Sequence, residues 1–181
     1  KGVHSTAAVQ LQGGSSDISW RNDKLSLDVK FQEAFGDSKL DYDIFGPGSG
    51  ATKHFDHLIL DAVFNGGWTY DGGVSPTNQR GDARYIQDQF VSDMVNAAGG
   101  VSPHGRYINL YLDGLYWGMY YLHEKPDEAF AADYQGGEKE DYDVLKHNSS
   151  TVVAGSTANY NALLTAVRQD MTVAANYQAV L

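Results

Sequence analysis

Aromatic and acidic side chains are concentrated in one run of the 181-residue chain, between Tyr107 and Lys146. Within this run, Tyr116 and Trp117 could stack on a flat aromatic base, because every base presents a π-face. Glu124, which ends the aromatic run, could accept a hydrogen bond from an amino group or hold a lysine. Structural explanations remain open as well, since aromatics commonly fill sheet cores and a terminal carboxylate can pair with Lys125 or stay exposed.

Basic side chains and a glycine-serine tetrad near the N-terminus could contact phosphate. Lys24 and Lys30 flank an alternating apolar segment, and each ammonium group could pair with a phosphate or remain solvated. The tetrad at 13–16, which ends in Ser15 and Ser16, could present backbone N–H groups to an anion, although most such tetrads are turns. The sequence contains no P-loop and no GxGxxG pattern.

Two other patterns carry less weight. Arg80-Gly81-Asp82 is an adhesion-type tripeptide, but chance matches are frequent and Asp82 also suits a helix N-cap. The histidines show no HxH or HExxH spacing, and the acidic cluster from Glu138 to Asp143 lacks the spacing of a calcium loop. The sequence therefore predicts no metal ligand and no catalytic residue.

Composition limits the class of protein. Hydrophobic residues make up 42% of the chain and charged residues 20%, which is ordinary for a globular domain. No run of about 18 apolar residues occurs, so no membrane span is predicted. Cysteine is absent, which excludes disulfides and thiolate chemistry. The formal net charge of −10 disfavours nucleic acid as a partner, because phosphate contacts require Lys and Arg.

Hydrophobic periodicity predicts the strands that must position these groups. A period of two predicts strands around 9–11 and at 25–31, 57–64, 107–112 and 115–123. Asp113-Gly114 predicts a type I′ turn, and Gly118 in mid-strand predicts that another group or a ligand approaches the backbone there. On a regular strand Trp117 and Glu124 point to opposite faces, so both reach one ligand only if the strand bends near Gly118 or His123.

Helical patterns follow these strands in the second half of the chain. Helices are predicted at 83–98 with Asp82 as cap, at 128–134 with Asp127 as cap, at 158–171, and from residue 173 onward. The last pattern is still apolar at Leu181, so the chain looks cut inside a helix. The order of these elements, with strands first and then a strand pair followed by helices, predicts a single α+β domain over 1–181. This domain is expected to be strand-rich over 1–124 and helical over 127–181.

Three blocks of the sequence resemble the spore coat protein H family, the CotH kinase-like domains of bacteria. One block is LYLDGLYWGMYYLHEKPDEAFAADYQGGEKEDYDVLKH, from Leu110 to His147. The second is GGSS at 13–16 with KLSLDVKFQEAFGDSKLDYDIFG at 24–46, and the third is FDHLILDAVFNGGW at 55–68 with YIQDQFVSDM at 85–94. The resemblance covers nearly the whole chain, with the blocks in the family's order.

The resemblance implies an atypical protein-kinase-like fold, sheet-rich first and then helical. It implies phosphoryl transfer from ATP to protein hydroxyls with Mg²⁺ or another divalent metal. The nucleotide-binding residues it implies are Trp117, Tyr116, Glu124, Lys24, Lys30, Ser15 and Ser16. The family's catalytic and metal-binding aspartates follow the helices that begin near Ala158, and no counterpart occurs before Leu181, so the chain alone is expected to be inactive. An extracellular, cell-surface or spore-coat location is also implied.

Three positions depart from the family pattern. Family members commonly carry arginine where this chain has Asp28, Asp61 and Gln87, which weakens the case for phosphate binding. The alternative is therefore a non-catalytic coat, surface or adhesion module with the same fold. The protein substrate or surface partner and the oligomeric state stay open.

Overall fold

The computed structural model describes residues 2–13, 24–64, 66–68, 83–147 and 149–181. The chain forms two compact units, Lys1–Pro126 and Asp127–Leu181. Both units contain strands and helices, so the fold is α+β, as predicted. Ser15, Ser16 and the Arg80-Gly81-Asp82 tripeptide lie outside the described residues.

An antiparallel sheet forms the first unit. Its described strands are β1 (Ala8–Gln12), β2 (Ser26–Lys30), β3 (Leu40–Asp41), β4 (His54–Phe55), β5 (His57–Asp61), β6 (Gly105–Leu112) and β7 (Leu115–Glu124). Five of them form one sheet in the order β1-β2-β5-β7-β6, and β3 pairs with β4 in a separate, two-stranded sheet that the sequence pattern did not predict. β5 ends three residues earlier than predicted, because the Asp61 carboxylate accepts a hydrogen bond from the Val63 N–H and Val63 adopts φ +57°.

One face of the five-stranded sheet carries the apolar core. Leu27 pairs with Leu60, and Leu60 pairs with Leu122, so alternate residues of three adjacent strands point to the same side. The buried members of this core are Phe31, Leu40, Phe55, Leu58, Leu60, Ala62, Tyr120 and Leu122. We call this side of the sheet the core face.

The opposite side of the sheet carries polar and aromatic side chains and a helix. Asp28, Tyr107 and Tyr121 lie on it by strand alternation. Helix α1 (Gln87–Ala97) is on this side, because the Tyr107 hydroxyl donates to the carbonyl of Tyr85, just before the helix. We call this side the helix face.

Helix α1 is shorter than predicted, and its apolar stripe is exposed. It begins at Gln87 instead of residue 83, with Ile86 at the N-cap position and no side-chain cap bond. Phe90 and Met94, which lie four residues apart on its apolar side, are mostly exposed to solvent. The 3.6-residue period therefore located the helix, but the described part of the chain does not cover its apolar side.

The β6–β7 hairpin contains a bulge that redirects one side chain. Its turn has the predicted positive φ at Asp113 (+50°) and Gly114 (+79°). Leu110 pairs with Gly118 while the next residue of β6 pairs with Tyr116, so Trp117 is the extra residue of a β-bulge. The group that approaches Gly118 is a side chain of the protein itself, because a Cβ there would lie 3.5 Å from Cε of Lys24.

The second unit combines short helices with a hairpin. Its elements are α2 (Glu128–Gln135), a 3₁₀ turn (Lys139–Asp141), β8 (Val144–Lys146), β9 (Thr151–Ala154), α3 (Ala158–Val167) and α4 (Ala174–Gln178). Asp127 caps α2 as predicted, since its carboxylate accepts the Phe130 N–H at 3.1 Å. The region expected to be helical, 127–181, thus also contains a two-stranded sheet, which occupies part of the predicted polar loop at 148–156.

Asp143 connects this hairpin to α3 and leaves no space at Gly155. Its carboxylate accepts hydrogen bonds from the Ser156 N–H and the Asn159 amide. Gly155 has φ +68°, and a Cβ there would lie 2.1 Å from Oδ1 of Asp143. Any larger residue at 155 would therefore meet both backbone strain and a steric clash.

Gly155→Ala should lower the free energy of unfolding by more than Gly136→Ala does, in urea titrations of the two variants. Gly136 also has a left-handed φ, +82°, but nothing lies within 4 Å of the Cβ it would gain. Gly136→Ala therefore measures the backbone cost alone, about 1–3 kcal/mol, because φ +82° with ψ −179° is a conformation almost confined to glycine. The clash at Gly155 should add at least about 1 kcal/mol. Equal losses in the two variants would contradict the contact with Asp143.

Candidate functional site

A buried carboxylate on the helix face joins four segments of the first unit. Asp28, in β2, has no exposed surface. Its Oδ1 accepts from Nδ1 of His57 at 2.9 Å, and its Oδ2 accepts from Nζ of Lys125 at 2.8 Å. Gln10 adds a third donor, Nε2, at 3.1 Å from Oδ2. We call these four residues, which come from β1, β2, β5 and the segment after β7, the Asp28 cluster.

The ionised state of Asp28 is set by its partners. Burial by itself raises the pKa of this carboxyl, but the hydrogen bonds from His57 and Lys125 and the nearby positive charges outweigh burial. The pKa of Asp28 therefore lies well below its usual range, and the carboxylate is charged at neutral pH. A buried charge with three donors, one of them an ammonium group, is compensated where an isolated charge would be very costly.

The same carboxylate fixes the orientation of His57. A carboxylate can only accept, so the hydrogen on Nδ1 of His57 must face Asp28, and Nε2 lies on the other side of the ring. Lys125 directs one N–H at Asp28, and an ammonium group has three. Both side chains are partly open to solvent, His57 at 14% and Lys125 at 21% exposure. They can therefore offer further polar contacts.

Glu124 is buried on the core face and is bound to a histidine. It is 2% exposed and pairs across strands with Leu58. Its Oε2 accepts from the backbone N–H of His104 at 2.8 Å and from Nδ1 of the same residue at 2.9 Å. Both structural explanations considered for Glu124 are therefore wrong: it neither pairs with Lys125 nor is exposed at the strand end. Oε2 of this carboxylate is therefore already occupied by two N–H groups of the protein itself.

Trp117 lies on the same side of β7 as Tyr120 because of the bulge. Burial raises the pKa of the Tyr120 hydroxyl, and a side-chain hydrogen bond with Trp117 partly opposes that rise. Tyr120 belongs to the core face, as does Glu124. The bend at Gly118 that Trp117 and Glu124 needed in order to face the same way is thus present.

Lys24 is anchored beside this bulge. Its Nζ lies 4.4 Å from the centroid of the Tyr120 ring and donates to the backbone carbonyl of Met119. Burial lowers the pKa of Lys24, while the negative charge of Asp61 acts in the opposite direction. The ammonium group therefore supports the hairpin through a carbonyl and an aromatic ring.

Tyr116 and Lys30 lie on the helix face, apart from the residues just described. Tyr116 is exposed, its ring centroid lies 5.3 Å from that of Tyr111, and its hydroxyl donates to Oδ1 of Asn109 at 3.1 Å. Lys30 pairs with His57 across β2 and β5 and follows Asp28 by two residues, which places it beside the Asp28 cluster. The described members of the predicted nucleotide-binding set are therefore divided between the two faces of the sheet.

The other end of the helix face is acidic. Asp61 accepts hydrogen bonds from the Ser26 hydroxyl at 3.0 Å and from the Val63 N–H. Burial raises the pKa of Tyr121, and the negative charges of Asp93, Asp88 and Asp61 raise it further. Because these three aspartates lie near one another, this end of the face repels anions. Among the described residues, no group of three His, Cys, Asp or Glu side chains could hold a metal ion.

Sequence reasoning noted Asp28 only as a departure from a family pattern, and it missed the role of His57. An aspartate between Leu27 and Val29 in a strand is a signal that a buried partner exists. Lys125, however, is 97 residues away along the chain, and only the strand order brings the two together. Lys125 was considered as a partner for its neighbour Glu124 instead.

Comparison with known proteins gives one match to a family. The family model described as "CotH kinase protein" matches residues 9–178, which span both compact units. A comparison with curated protein sequences gives no match. Within the described residues, no helix is long and apolar enough to cross a membrane.

Asp28→Asn should lower the free energy of unfolding by about 3 kcal/mol at neutral pH, because Lys125 would lose its buried counter-charge. The folded-state pKa of Asp28 lies below its unfolded value, so the stabilisation is fully present above about pH 4 and is lost as pH falls towards the folded pKa. Urea titrations of both proteins between neutral and acidic pH should show the difference shrinking below about pH 4. A difference that stays constant over that range would contradict the ionised state of Asp28.

Glu124→Gln should lower the free energy of unfolding by about 2 kcal/mol without any ligand, since a neutral amide replaces a charged acceptor of two His104 N–H groups. Glu33→Gln is the matched control, because it removes the same charge at an exposed position of the same unit. Urea unfolding measures both. Equal stabilities of the two variants would show that the His104 bonds contribute nothing.

Proposed function

Because this chain belongs to the CotH kinase family, we propose that it forms the nucleotide-binding part of a domain that transfers a phosphoryl group from ATP to protein hydroxyls. The observation that carries this proposal is the order of elements in the sheet. The five strands are arranged β1-β2-β5-β7-β6, and helix α1 lies between the third and fourth of them along the chain. Protein kinases place a glycine-rich loop, a third-strand lysine and helix αC around ATP in a comparable order.

The helix face is the proposed nucleotide side of the sheet. In protein kinases, the third-strand lysine pairs with a glutamate of helix αC next to the phosphates, so the nucleotide and the helix share one side. By this comparison Tyr116 and Lys30 are the described residues of the predicted set that a nucleotide would meet. Trp117, Lys24 and Glu124 would instead support the sheet from its core face.

ATP would supply the phosphoryl group. The described residues suit the base of ATP but not its triphosphate. The exposed ring of Tyr116 offers a surface on which a base can stack. The third strand of the sheet carries Asp61 where kinases use a cation, and α1 brings Asp88 and Asp93 to the same end. A triphosphate there would be repelled unless divalent cations neutralise it, so nucleotide binding on this side should require metal.

A second candidate is a non-catalytic surface, coat or adhesion module with the same fold. It is favoured by Asp28 and Asp61, because both are acidic where family members commonly carry arginine. Asp28 is already satisfied by groups of the protein itself and needs no ligand to be stable. A location on spores, on the cell surface or outside the cell follows from family resemblance and is part of the proposal.

Mg·ATP at millimolar concentration should raise the thermal unfolding midpoint, and ATP with EDTA should not. Tyr116→Ala should weaken nucleotide binding about tenfold, since a base stacked on an aromatic ring contributes about 1–3 kcal/mol. Trp117→Ala is the matched control, an aromatic residue of the same hairpin on the opposite face, and should keep the wild-type shift. Transfer of radiolabelled phosphate to protein by the intact gene product would then test catalysis.

Two outcomes would contradict the proposal. Absence of any thermal shift with Mg·ATP would contradict nucleotide binding by this chain and would favour the non-catalytic module. Loss of the shift in Trp117→Ala, with Tyr116→Ala unaffected, would place the nucleotide on the core face.

A further inference from the structure

We infer that Lys30 and Lys125, which lie beside His57, form a binding position for a phosphate group at the Asp28 end of the helix face. This position is separate from the acidic end of that face, and it requires no metal ion. Inorganic phosphate and a phosphate of a nucleotide share the chemistry that these side chains recognise. The inference therefore goes beyond the proposed function and does not depend on phosphoryl transfer.

The charges at this position do not balance within the protein. Asp28 contributes one negative charge, and its ion pair with Lys125 neutralises it. Lys30 adds a second ammonium group on the same face, opposite His57 in the strand register. No ion pair or side-chain hydrogen bond joins the Lys30 ammonium group to another of the described residues. A local positive excess thus remains in a chain whose formal net charge is −10, and an anion would relieve it.

The available hydrogen-bond donors also suit a phosphate. The unprotonated oxygens of a phosphate accept hydrogen bonds, and charge-assisted bonds from ammonium groups are the stronger kind. Lys125 keeps N–H groups beyond the one directed at Asp28, and Lys30 has three. Partial burial of Lys125 and His57 excludes some water without closing the position, so screening by salt is weaker there than at a fully exposed lysine.

Asp28 acts as a positioning residue. Its carboxylate has no exposed surface, so it binds Lys125 and His57 from inside the protein and does not contact the ligand. Holding the Lys125 ammonium group in place reduces the side-chain entropy lost on binding, which is the usual gain from preorganisation. The aspartates at the other end of the face, Asp61, Asp88 and Asp93, direct an anion towards the Asp28 cluster by repulsion.

Isothermal titration of the protein with inorganic phosphate, in EDTA and at constant ionic strength, tests this position. Saturable binding in the millimolar range is expected for the wild type. Lys30→Met should raise the dissociation constant about fivefold, the scale of one lost charge-assisted contact near a protein surface. Lys39→Met is the matched control: this lysine also lies in the first unit and is paired with Asp56 at 3.4 Å. It should bind phosphate like the wild type.

Lys30→Met is the decisive variant because Lys30 has no described structural partner whose loss would unfold the protein. Lys125→Arg, which keeps the charge beside Asp28, should retain measurable binding. Failure of the wild type to bind phosphate, or equal affinities of Lys30→Met and the wild type, would overturn the inference.

ADP in EDTA distinguishes the sources of the phosphate. Competition between ADP and inorganic phosphate would identify a nucleotide phosphate as an occupant, and absence of competition would identify free phosphate; both results agree with the inference. Phosphate binding that persists while Mg·ATP gives no thermal shift would remove the proposed function alone. A thermal shift with Mg·ATP and no phosphate binding would remove this inference alone.

Discussion

The buried ion pair between Asp28 and Lys125 is the interaction on which the first unit depends. It lies on the side of the sheet opposite the core face, where Gln10 of β1 and His57 of β5 bind the same carboxylate of β2. Ion pairs of this kind stabilise less than well-packed apolar groups, but they tolerate few alternative arrangements. The carboxylate therefore ties the segment after β7 to β2, 97 residues earlier in the chain.

Charge separation along the helix face is the second organising feature. The ammonium groups of Lys125 and Lys30 lie by Asp28, while Asp61, Asp88 and Asp93 lie at the other end of the face near Tyr121. Protein kinases concentrate positive charge where the phosphates of ATP lie. If a nucleotide lies on the helix face as proposed, the aspartates at one end of that face are the opposite of this arrangement.

The sequence predicted the elements better than the site, for a physical reason. Strand periodicity, the Asp113-Gly114 turn and the Asp127 cap are local signals, and the structure contains each of them. The face on which Trp117 lies depended on a one-residue bulge, and the partner of Asp28 depended on strand order. Neither the bulge nor the strand order can be read from residues that are close together in the chain. The sequence therefore pointed to Glu124 as a site residue and did not reveal the contacts of Lys125 and His57 with Asp28.

The place of β7 in the sheet has a consequence for how the chain reaches its fold during synthesis. β7 is the last of the five strands to leave the ribosome, yet it lies between β5 and β6. Before β7 is synthesised, one edge of β5 has no strand to pair with, and the Asp28 carboxylate lacks its ion pair with Lys125. Such long-range pairing slows folding and leaves unpaired strands available to other chains. The first unit can therefore complete its sheet only after residue 125 has emerged, and a nascent chain shorter than that is a natural client for chaperones.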